Sequence, residues 1–449
     1  MVIISGPVTA GSIIEPVSVP ANLPANGYVE QEFLASGTAS AYEAAGEAGS
    51  DGRWVAEASG TAPFCTRVVV RRPADPARFS GTLLLEWLNV SGGFDADPDW
   101  AFVHEEIFRQ GHAYAAVSAQ ARGVLGGKAQ PGFPLPPSPG MRASELVRYG
   151  SLAHPGDQYA FDIFGQIGRA LKSASPALGG LVPARVLALG DSQSAVYLTS
   201  YINAVHPLSP AFDGFLVHSR GADAAPLSGA GIDPAAVTVG VRIRADNRTP
   251  VLILEGEGDI VAPLSFGLAR QPDSDWLRLW ETAGTAHADA DTLGAEQARS
   301  LGVDWRINEG PHRFIAQAAL RALHTWVGEG TPPPRAARIE LASQQPLVIE
   351  RDQYGIALGG VRTPAVDVPV ATLSGQGPPG AAGPGWLVGS TTPLDDATLL
   401  RLYGDKSGYL DAYTRSLDAA IRDGFLLLAD RAELLAEATA FPFPAPLGG

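Results

Sequence analysis

The chain has 449 residues, 45% of them hydrophobic and 18% charged, which is the balance of a globular protein with a large core. Its formal net charge of −15 argues against a nucleic-acid-binding surface, because such a surface needs clustered basic residues. The single cysteine, Cys65, excludes an intramolecular disulfide, and no stretch approaches the ~20 uninterrupted apolar residues of a membrane span.

The N-terminal segment, residues 1–80, is predicted to be rich in β-strands. Residues 27–73 contain short β-like runs, such as YVEQEFLASGTA and CTRVVVRRP. The opening MVIISGPVTAGSIIEP has neither the basic region nor the long apolar core of a signal peptide. We therefore expect a cytoplasmic protein with no membrane association.

From residue 81 to residue 330, short apolar runs alternate with helical patterns. Runs such as TLLLEWL and VLILEG suit strands that helices cover on both faces. The predicted strands are residues 82–88, 113–119, 185–190, 214–219, 251–256 and 277–283, and the predicted helices are residues 99–111, 158–174, 194–205 and 312–327. This alternation predicts an α/β fold with a mostly parallel central sheet flanked by helices.

Three segments interrupt or follow this alternation. Residues 120–155, with the Pro- and Gly-rich stretch AQPGFPLPPSPG, and residues 219–250 are predicted to be insertions that form a lid. After TPPPRAAR, residues 331–449 are predicted to be an appendage packed on the core. The whole chain, residues 1–449, is thus predicted to be one domain, and no nucleotide-binding G-x-G-x-x-G lies between a strand and a helix.

The segment VLALGDSQSAVYLTSY places Ser192 at a sharp corner between a strand and a helix. A serine hydroxyl is a poor nucleophile without an adjacent base, and at such a turn its Oγ projects from the edge of the sheet. The turn needs small residues two positions before and two positions after the serine. Gly190 and Ser194 meet this requirement, although the common pattern G-x-S-x-G ends in glycine. The alternative is that Ser192 only caps the helix.

The partners that Ser192 requires are predicted from the chain order serine, acid, histidine. Asp259 follows the strand VLILEG and is the predicted acid, with Glu257 as its competitor. His287 follows the strand LRLWETA on a loop of small residues and is the predicted base, which an acid would hold in the correct tautomer. His312, at the start of the last helix of the core, is the second choice. No metal site is predicted at HADAD, because one histidine with spaced aspartates is nonspecific.

An oxyanion hole is predicted beside this serine. We expect one donor to be the backbone N–H of Gln193 and the second to be that of Val90 or Ser91, in the Gly-rich turn of EWLNVSGGFDADPDW. The alternative is an ordinary turn. Several side chains near these stretches are candidates for the substrate pocket, with core packing as the alternative for each aromatic one: Trp87, Asn89, Phe94, Trp100, Tyr197 and His218.

The chain resembles the "alpha/beta hydrolase domain" family of bacterial and fungal proteins related to serine esterases, the tenth alpha/beta-hydrolase group. The matching stretches are GYVEQEFLASGTA, LLLEWLNVSGGFDADPDW, SLAHPGDQYAFDIFGQ, GDSQSAVYLTSYINAVHP, FDGFLVHSR, RLWETAGTAHAD and GGVRTPAVDVPVATLSG. The resemblance implies the α/β-hydrolase fold and a Ser-acid-His mechanism with Ser192 and His287. It leaves open which carboxylate of Glu257-Gly258-Asp259 serves as the acid.

These features predict a serine hydrolase that cleaves a small-molecule carboxylic ester through an acyl-enzyme on Ser192, with no cofactor. An acyltransferase that uses the same triad is one alternative. A non-catalytic ligand-binding protein on the same scaffold is another. The sequence carries no signal for an oligomeric state.

Overall fold

The six apolar runs predicted as strands all form strands, and the four helical patterns all form helices. The computed structural model describes residues 2–131, 133, 135–173, 175–230, 239–381 and 383–445. The ends of these elements agree with the predictions to within two residues, with one exception. The helix predicted over residues 194–205 is α-helical over Gln193–Ser200 and continues as a π-helical turn over Tyr201–Val205.

The described part of the chain contains these elements. The strands are β1 (Ile3–Ser5), β2 (Tyr28–Ala44), β3 (Ala56–Pro73), β4 (Thr82–Trp87), β5 (Ala113–Val117), β6 (Arg185–Asp191), β7 (Gly214–His218), β8 (Val251–Gly256), β9 (Leu277–Thr282), β10 (Leu341–Gln344), β11 (Leu347–Ile349), β12 (Ala371–Ser374) and β13 (Ser390–Pro393). The α-helices are α1 (Pro98–Gln110), α2 (Ala121–Leu125), α3 (Gly140–Ser144), α4 (Leu146–Tyr149), α5 (Ala160–Lys172), α6 (Gln193–Ser200), α7 (Gly294–Ser300), α8 (His312–Glu329), α9 (Pro364–Asp367), α10 (Gly385–Val388), α11 (Asp396–Tyr403), α12 (Lys406–Arg422) and α13 (Arg431–Ala440). None of these described helices has the length and apolar character that crossing a bilayer requires.

The chain folds into two compact units, each built from discontinuous segments. The first unit comprises Met1–Ile253, Leu264–Leu277 and Leu323–Thr331, and the second comprises Leu254–Pro263, Arg278–Ala322 and Pro332–Gly449. The predicted appendage, residues 331–449, therefore does not stand alone, because the segments that carry Asp259 and His287 belong to the same unit. The prediction of one domain over the whole chain stays a prediction.

The large sheet places a topological switch point at β4. Its nine strands follow the order β1-β2-β3-β5-β4-β6-β7-β8-β9. β4 pairs in parallel with both β5 and β6, and β6 pairs in parallel with β7. β1, β2, β3 and β5 pair antiparallel in succession. Ligands of open α/β sheets bind beyond the carboxyl ends of the strands where the order reverses, so the loops after β4 and β6 are the expected location of a site.

A buried carboxylate at the end of β4 holds the start of α1. Glu86 accepts the backbone N–H groups of Asp99 (3.1 Å) and Trp100 (2.9 Å), which have no partner inside the helix, and the hydroxyl of Tyr114 donates to it at 2.7 Å. Burial, followed by the charges of Asp99 and Asp97, raises the pKa of Glu86 well above its usual value. This role explains an acidic residue in an otherwise apolar strand.

The two predicted insertions differ in structure. The described residues of 120–155, which leave out 132 and 134, contain three short helices and share a hydrophobic cluster of Val124, Met141, Tyr149 and Leu152. In residues 219–250 the described parts, 219–230 and 239–250, contain neither helix nor strand, and residues 231–238 lie outside the described residues. The buried Arg220 donates to Thr199 Oγ1 of α6 at 3.0 Å and so ties this segment to the helix after Ser192. That either insertion acts as a lid stays a prediction.

Candidate active site

Ser192 occupies a strained turn at the carboxyl end of β6. Its backbone has φ 56° and ψ −119°, a conformation that non-glycine residues adopt rarely and that clusters at functional sites. Its N–H donates to the carbonyl of His218 at 2.9 Å, which fixes the turn to the end of β7. Ser192 is partly exposed, whereas the flanking residues from 186 to 191 and from 193 to 206 are buried. The fold therefore presents this one side chain of the segment to solvent.

The departure from G-x-S-x-G has a structural role. Ser194 Oγ donates to the carbonyl of Asp191 at 2.8 Å and accepts the N–H of Asp191 at 3.0 Å, so one hydroxyl binds both backbone polar groups of the residue before Ser192. A Cβ at Gly190 would lie 3.1 Å from the backbone of Ser194. Any residue other than glycine at this position would therefore force the neighbouring backbone to shift. The prediction that crowding requires small residues here agrees with this geometry.

The loop after β4 lies against this turn, but its predicted oxyanion donors are already engaged. Asn89 Nδ2 donates to the carbonyl of Asp191 at 3.1 Å. The N–H of Ser91 donates to Asn89 Oδ1 at 2.8 Å, and the N–H of Val90 donates to Gln193 Oε1 at 3.3 Å. As the first residue of α6, Gln193 has an N–H with no acceptor inside the helix. Of the two loop donors, the longer and weaker bond belongs to Val90.

A chain of buried side-chain amides continues from Gln193 away from this loop. Gln193 Nε2 donates to Gln120 Oε1 at 2.9 Å, and Trp87 Nε1 donates to the same oxygen at 3.2 Å. Gln120 Nε2 donates to Asp157 Oδ2 at 3.1 Å, and Asp157 Oδ1 accepts the N–H of Ala121 at 2.7 Å. Gln193 and Gln120 are 8% and 2% exposed, so their conformations are set by these bonds and not by water. Sequence reasoning missed Gln120, although it is a polar residue just after the buried strand β5.

Three of the aromatic residues predicted for the substrate pocket are buried in the first unit. Trp87 and Tyr197 are buried and pack against each other and against Phe161, with ring centroids 5.6–5.8 Å apart. Trp100 is also buried, with the Arg71 guanidinium 4.3 Å from its ring centroid. These aromatic side chains pack in the core of the first unit, and their place in a substrate pocket stays a prediction.

Asn89 and Phe94, which were also predicted to line the pocket, differ in burial. Asn89 is buried and holds the loop after β4 to the turn of Ser192, so its role in the structure is that of a support. Phe94, in the same loop, is half-buried. Its place in a substrate pocket stays a prediction.

His218 lies in a buried polar cluster and not in an open pocket. Its Nδ1 is 2.9 Å from Asp99 Oδ1 and 3.4 Å from Asp191 Oδ2. Among the described residues, this cluster alone has the composition and spacing of a metal site, with one ligand atom from each side chain within 4.8 Å. A histidine N–H between two carboxylates accounts for the same distances without an ion. Because Asp191 is the residue before Ser192, this cluster also helps to hold the turn of Ser192 in place.

In the second unit, Asp259 and His287 form a hydrogen-bonded pair. Asp259 lies in the 3-10 turn Glu257–Ile260 directly after β8, and His287 follows β9. His287 Nδ1 and Asp259 Oδ1 are 2.7 Å apart, and the N–H of Gly256 donates to Asp259 Oδ2 at 2.7 Å. Burial opposes ionisation of Asp259, but the nearby His287 and His312 rings and these hydrogen bonds hold its pKa below its usual value. This carboxylate fixes the ring so that Nε2 is the nitrogen that can exchange a proton with a substrate.

Glu257, the competing acid, is engaged elsewhere in the second unit. Its Oε1 accepts from Arg351 Nη2 at 2.6 Å and from the N–H of Gly375 at 3.1 Å. Its Oε2 accepts the N–H of Gly284 at 2.8 Å. Both oxygens therefore tie the turn after β8 to the loop after β9 and to the C-terminal segment.

His312, the second choice for the base, also has a supporting contact. Its Nδ1 is 2.9 Å from the carbonyl of Ala286, the residue before His287. The partly buried ring of Trp386 lies 5.7 Å from the His287 ring, centroid to centroid. Sequence reasoning missed Trp386, because a single tryptophan in the Gly-rich stretch GPGWLVGS carries no signal of its partner.

Asp289, two residues after His287, makes the free energy of unfolding of the protein depend on pH. Its Oδ1 accepts the N–H groups of Asp291 (3.1 Å) and Thr292 (3.0 Å), whereas its Oδ2 has no hydrogen-bond partner among the described residues. Burial, followed by the charge of Asp291, raises the pKa of Asp289 to about 7. An unfolded aspartate loses its proton near pH 4, so the folded protein binds more protons between about pH 4 and pH 7.

We therefore expect ionisation of Asp289 to lower the free energy of unfolding by up to about 1.4 kcal/mol per pH unit as the pH rises from about 4 to 7. The free energy of unfolding of Asp289→Asn, measured relative to wild type, should therefore rise across this pH range, because the asparagine side chain cannot ionise. Urea denaturation at a series of pH values measures this slope. Asp75→Asn is the matched control, since Asp75 accepts a backbone N–H in the same way but is exposed. Equal slopes in Asp289→Asn and wild type would contradict the prediction.

Comparison with known proteins identifies the family. The model of the alpha/beta hydrolase domain family matches residues 4–436. The chain therefore belongs to the alpha/beta hydrolase domain family, and its fold is the α/β-hydrolase fold. The resemblance seen in the sequence motifs is confirmed. No curated protein matches the sequence.

Solved structures show more distant similarity. An α/β serine hydrolase without a lid from Xanthomonas campestris is 12% identical, with 57% of this chain and 88% of that chain covered and a TM-score of 0.31. A glucuronoyl esterase from Solibacter usitatus is 12% identical, with coverage of 63% and 80% and a TM-score of 0.30. An alpha-beta serine hydrolase homologue from Coxiella burnetii is 12% identical, with coverage of 50% and 84% and a TM-score of 0.28. Similarity at this level carries no argument about activity.

Proposed function

We propose that the protein hydrolyses a carboxylic ester through a covalent acyl-enzyme on Ser192. The observation that carries the proposal is the strained backbone of Ser192, which is partly exposed at the switch point of the sheet between buried neighbours. Strain of this kind in a non-glycine residue persists only where the surrounding structure enforces it. A helix cap needs no such conformation, so the alternative of a merely capping serine leaves the strain unexplained.

In the proposed mechanism, His287 and Asp259 supply the base and its orienting acid. Ser192 Oγ attacks the ester carbonyl as His287 Nε2 takes the hydroxyl proton, and the bond between carbonyl carbon and alkoxy oxygen then breaks as His287 returns that proton to the leaving alcohol. Water, deprotonated by His287, attacks the acyl carbon and releases the acid and free Ser192. The pair of His287 and Asp259, 2.7 Å apart, supports this assignment, as does the order serine, acid, histidine along the chain.

A panel of esters graded in acyl and alcohol size tests this proposal. We expect wild type to release acid and alcohol from at least one member of the panel, with a fluorophosphonate labelling Ser192 in the folded protein. Adding a competing alcohol or amine separates hydrolysis from acyl transfer, because an acyltransferase would give the new ester or amide as its main product. Absence of both turnover and labelling would refute the proposal and favour a ligand-binding protein.

A further inference from the structure

The side chain of Gln193 occupies a position at the N–H of Val90 that a substrate carbonyl would need. Its Oε1 accepts this N–H at 3.3 Å. A carboxamide oxygen is a neutral sp² acceptor, as is the carbonyl oxygen of an ester, so the two compete for the same donor. The neighbouring N–H of Ser91 is held more tightly, at 2.8 Å, by Asn89, whose side chain is itself bound to the carbonyl of Asp191. Val90 therefore has the loop N–H that is easier to release.

The Gln193 side chain is held in this position from its other end. Its Nε2 donates to Gln120 Oε1 at 2.9 Å, and Gln120 is fixed in turn by Asp157 and by the indole of Trp87. When Gln193 leaves, Gln120 Oε1 keeps the Trp87 donor, so no buried acceptor is left unsatisfied at that atom. Removal of the side chain from Val90 thus costs little beyond the two bonds that Gln193 itself makes.

We infer that Gln193 is a gate on the oxyanion hole: its carboxamide rests on the N–H of Val90, and the carbonyl oxygen of the substrate must displace it. This inference rests on the proposed function. The backbone N–H of Gln193 is the first donor of the hole, and the same residue thereby supplies one donor and covers the other. Gln193 thereby also determines specificity, because a substrate enters the oxyanion hole only if its carbonyl oxygen replaces the amide oxygen of Gln193 at the N–H of Val90.

Substitutions of the side chain test the gate and leave its backbone N–H in place. Gln193→Met keeps the length of the side chain but removes the strong acceptor, so we expect a reaction with fluorophosphonate about 3- to 10-fold faster than wild type. In ester turnover the gain should appear as a lower KM with kcat unchanged, since the substrate no longer has to displace the side chain. Gln193→Glu places a charged acceptor on Val90 and repels the oxyanion, so labelling should slow by at least about 10-fold.

The controls separate the gate from other roles of Gln193. Gln166→Met makes the same chemical change on α5, where Gln166 Nε2 donates to the carbonyl of Thr38, and should leave the labelling rate unchanged. If Gln193→Met reacts at the wild-type rate or more slowly, the gate is refuted, and a slower rate would show that Gln193 instead holds the loop in place. If a fluorophosphonate labels Ser192 in no variant, both the gate and the proposed hydrolase activity fail.

Discussion

Ser192→Ala is expected to lower kcat for ester hydrolysis by at least about 10⁴-fold, which corresponds to about 5.5 kcal/mol of transition-state stabilisation. The physical reason is that alanine has no oxygen to form the acyl-enzyme, so only substrate binding and the oxyanion donors remain. Steady-state kinetics on the best ester of the panel measures the loss. Fluorophosphonate labelling should disappear in the same variant.

The fold should survive this substitution. Alanine at φ 56° is no less strained than serine and is no larger, and the bonds that Ser194 Oγ and the Ser192 backbone N–H make remain in the variant. The Tm of Ser192→Ala should therefore lie close to that of wild type. A variant that retains more than about a tenth of the wild-type kcat would exclude a covalent mechanism on this residue.

Asp259→Asn is expected to lower kcat by about 10³-fold or more, whereas Glu257→Gln should change it less than about 10-fold. An asparagine amide facing His287 Nδ1 stabilises the tautomer that carries its proton on Nε2, which cannot act as a base toward serine. Glu257 makes no such contact, because its oxygens bind Arg351 and the N–H groups of Gly284 and Gly375. Parallel kinetics of the two variants on one ester decide between the acids.

Glu257→Gln should lower the stability of the protein, although it changes kcat little. Glu257→Gln removes the charge that faces Arg351 inside a buried network and should lower the free energy of unfolding by about 1–3 kcal/mol, measured by urea denaturation. The two variants thus serve as controls for each other. A large loss of kcat in Glu257→Gln together with a small loss in Asp259→Asn would reverse the assignment of the acid.

The helices and strands of the core and the corner at Ser192 could be predicted because their signals are local. A buried parallel strand reads as a continuous apolar run, and a strand, a small-residue turn and a helix in succession identify the corner at Ser192. The choice between Asp259 and Glu257 stayed open in the sequence, because both follow the same strand within three residues. The direction of each side chain decided which one contacts His287, and the 3-10 turn after β8 sets that direction.

Other features of the site depend on contacts between distant parts of the chain. Trp386 lies about a hundred residues beyond His287 in a segment that reads as an appendage, and Arg351 reaches Glu257 from the same segment. The packing partners of Trp87 and Tyr197 could not be predicted for the same reason. Trp87 lies on β4 and Tyr197 on α6, and both side chains pack against Phe161 of α5 in the core of the first unit.

Ser194 has a consequence for how proteins of this kind are found. Its hydroxyl closes the turn of Ser192 with two bonds to Asp191, which a glycine at the same position would lack. A pattern search that requires glycine both two positions before and two positions after the serine passes over such chains, although a hydroxyl at the second position can hold the corner. Surveys of uncharacterised genomes should therefore admit serine at this position, provided that the preceding strand and the following helix are present.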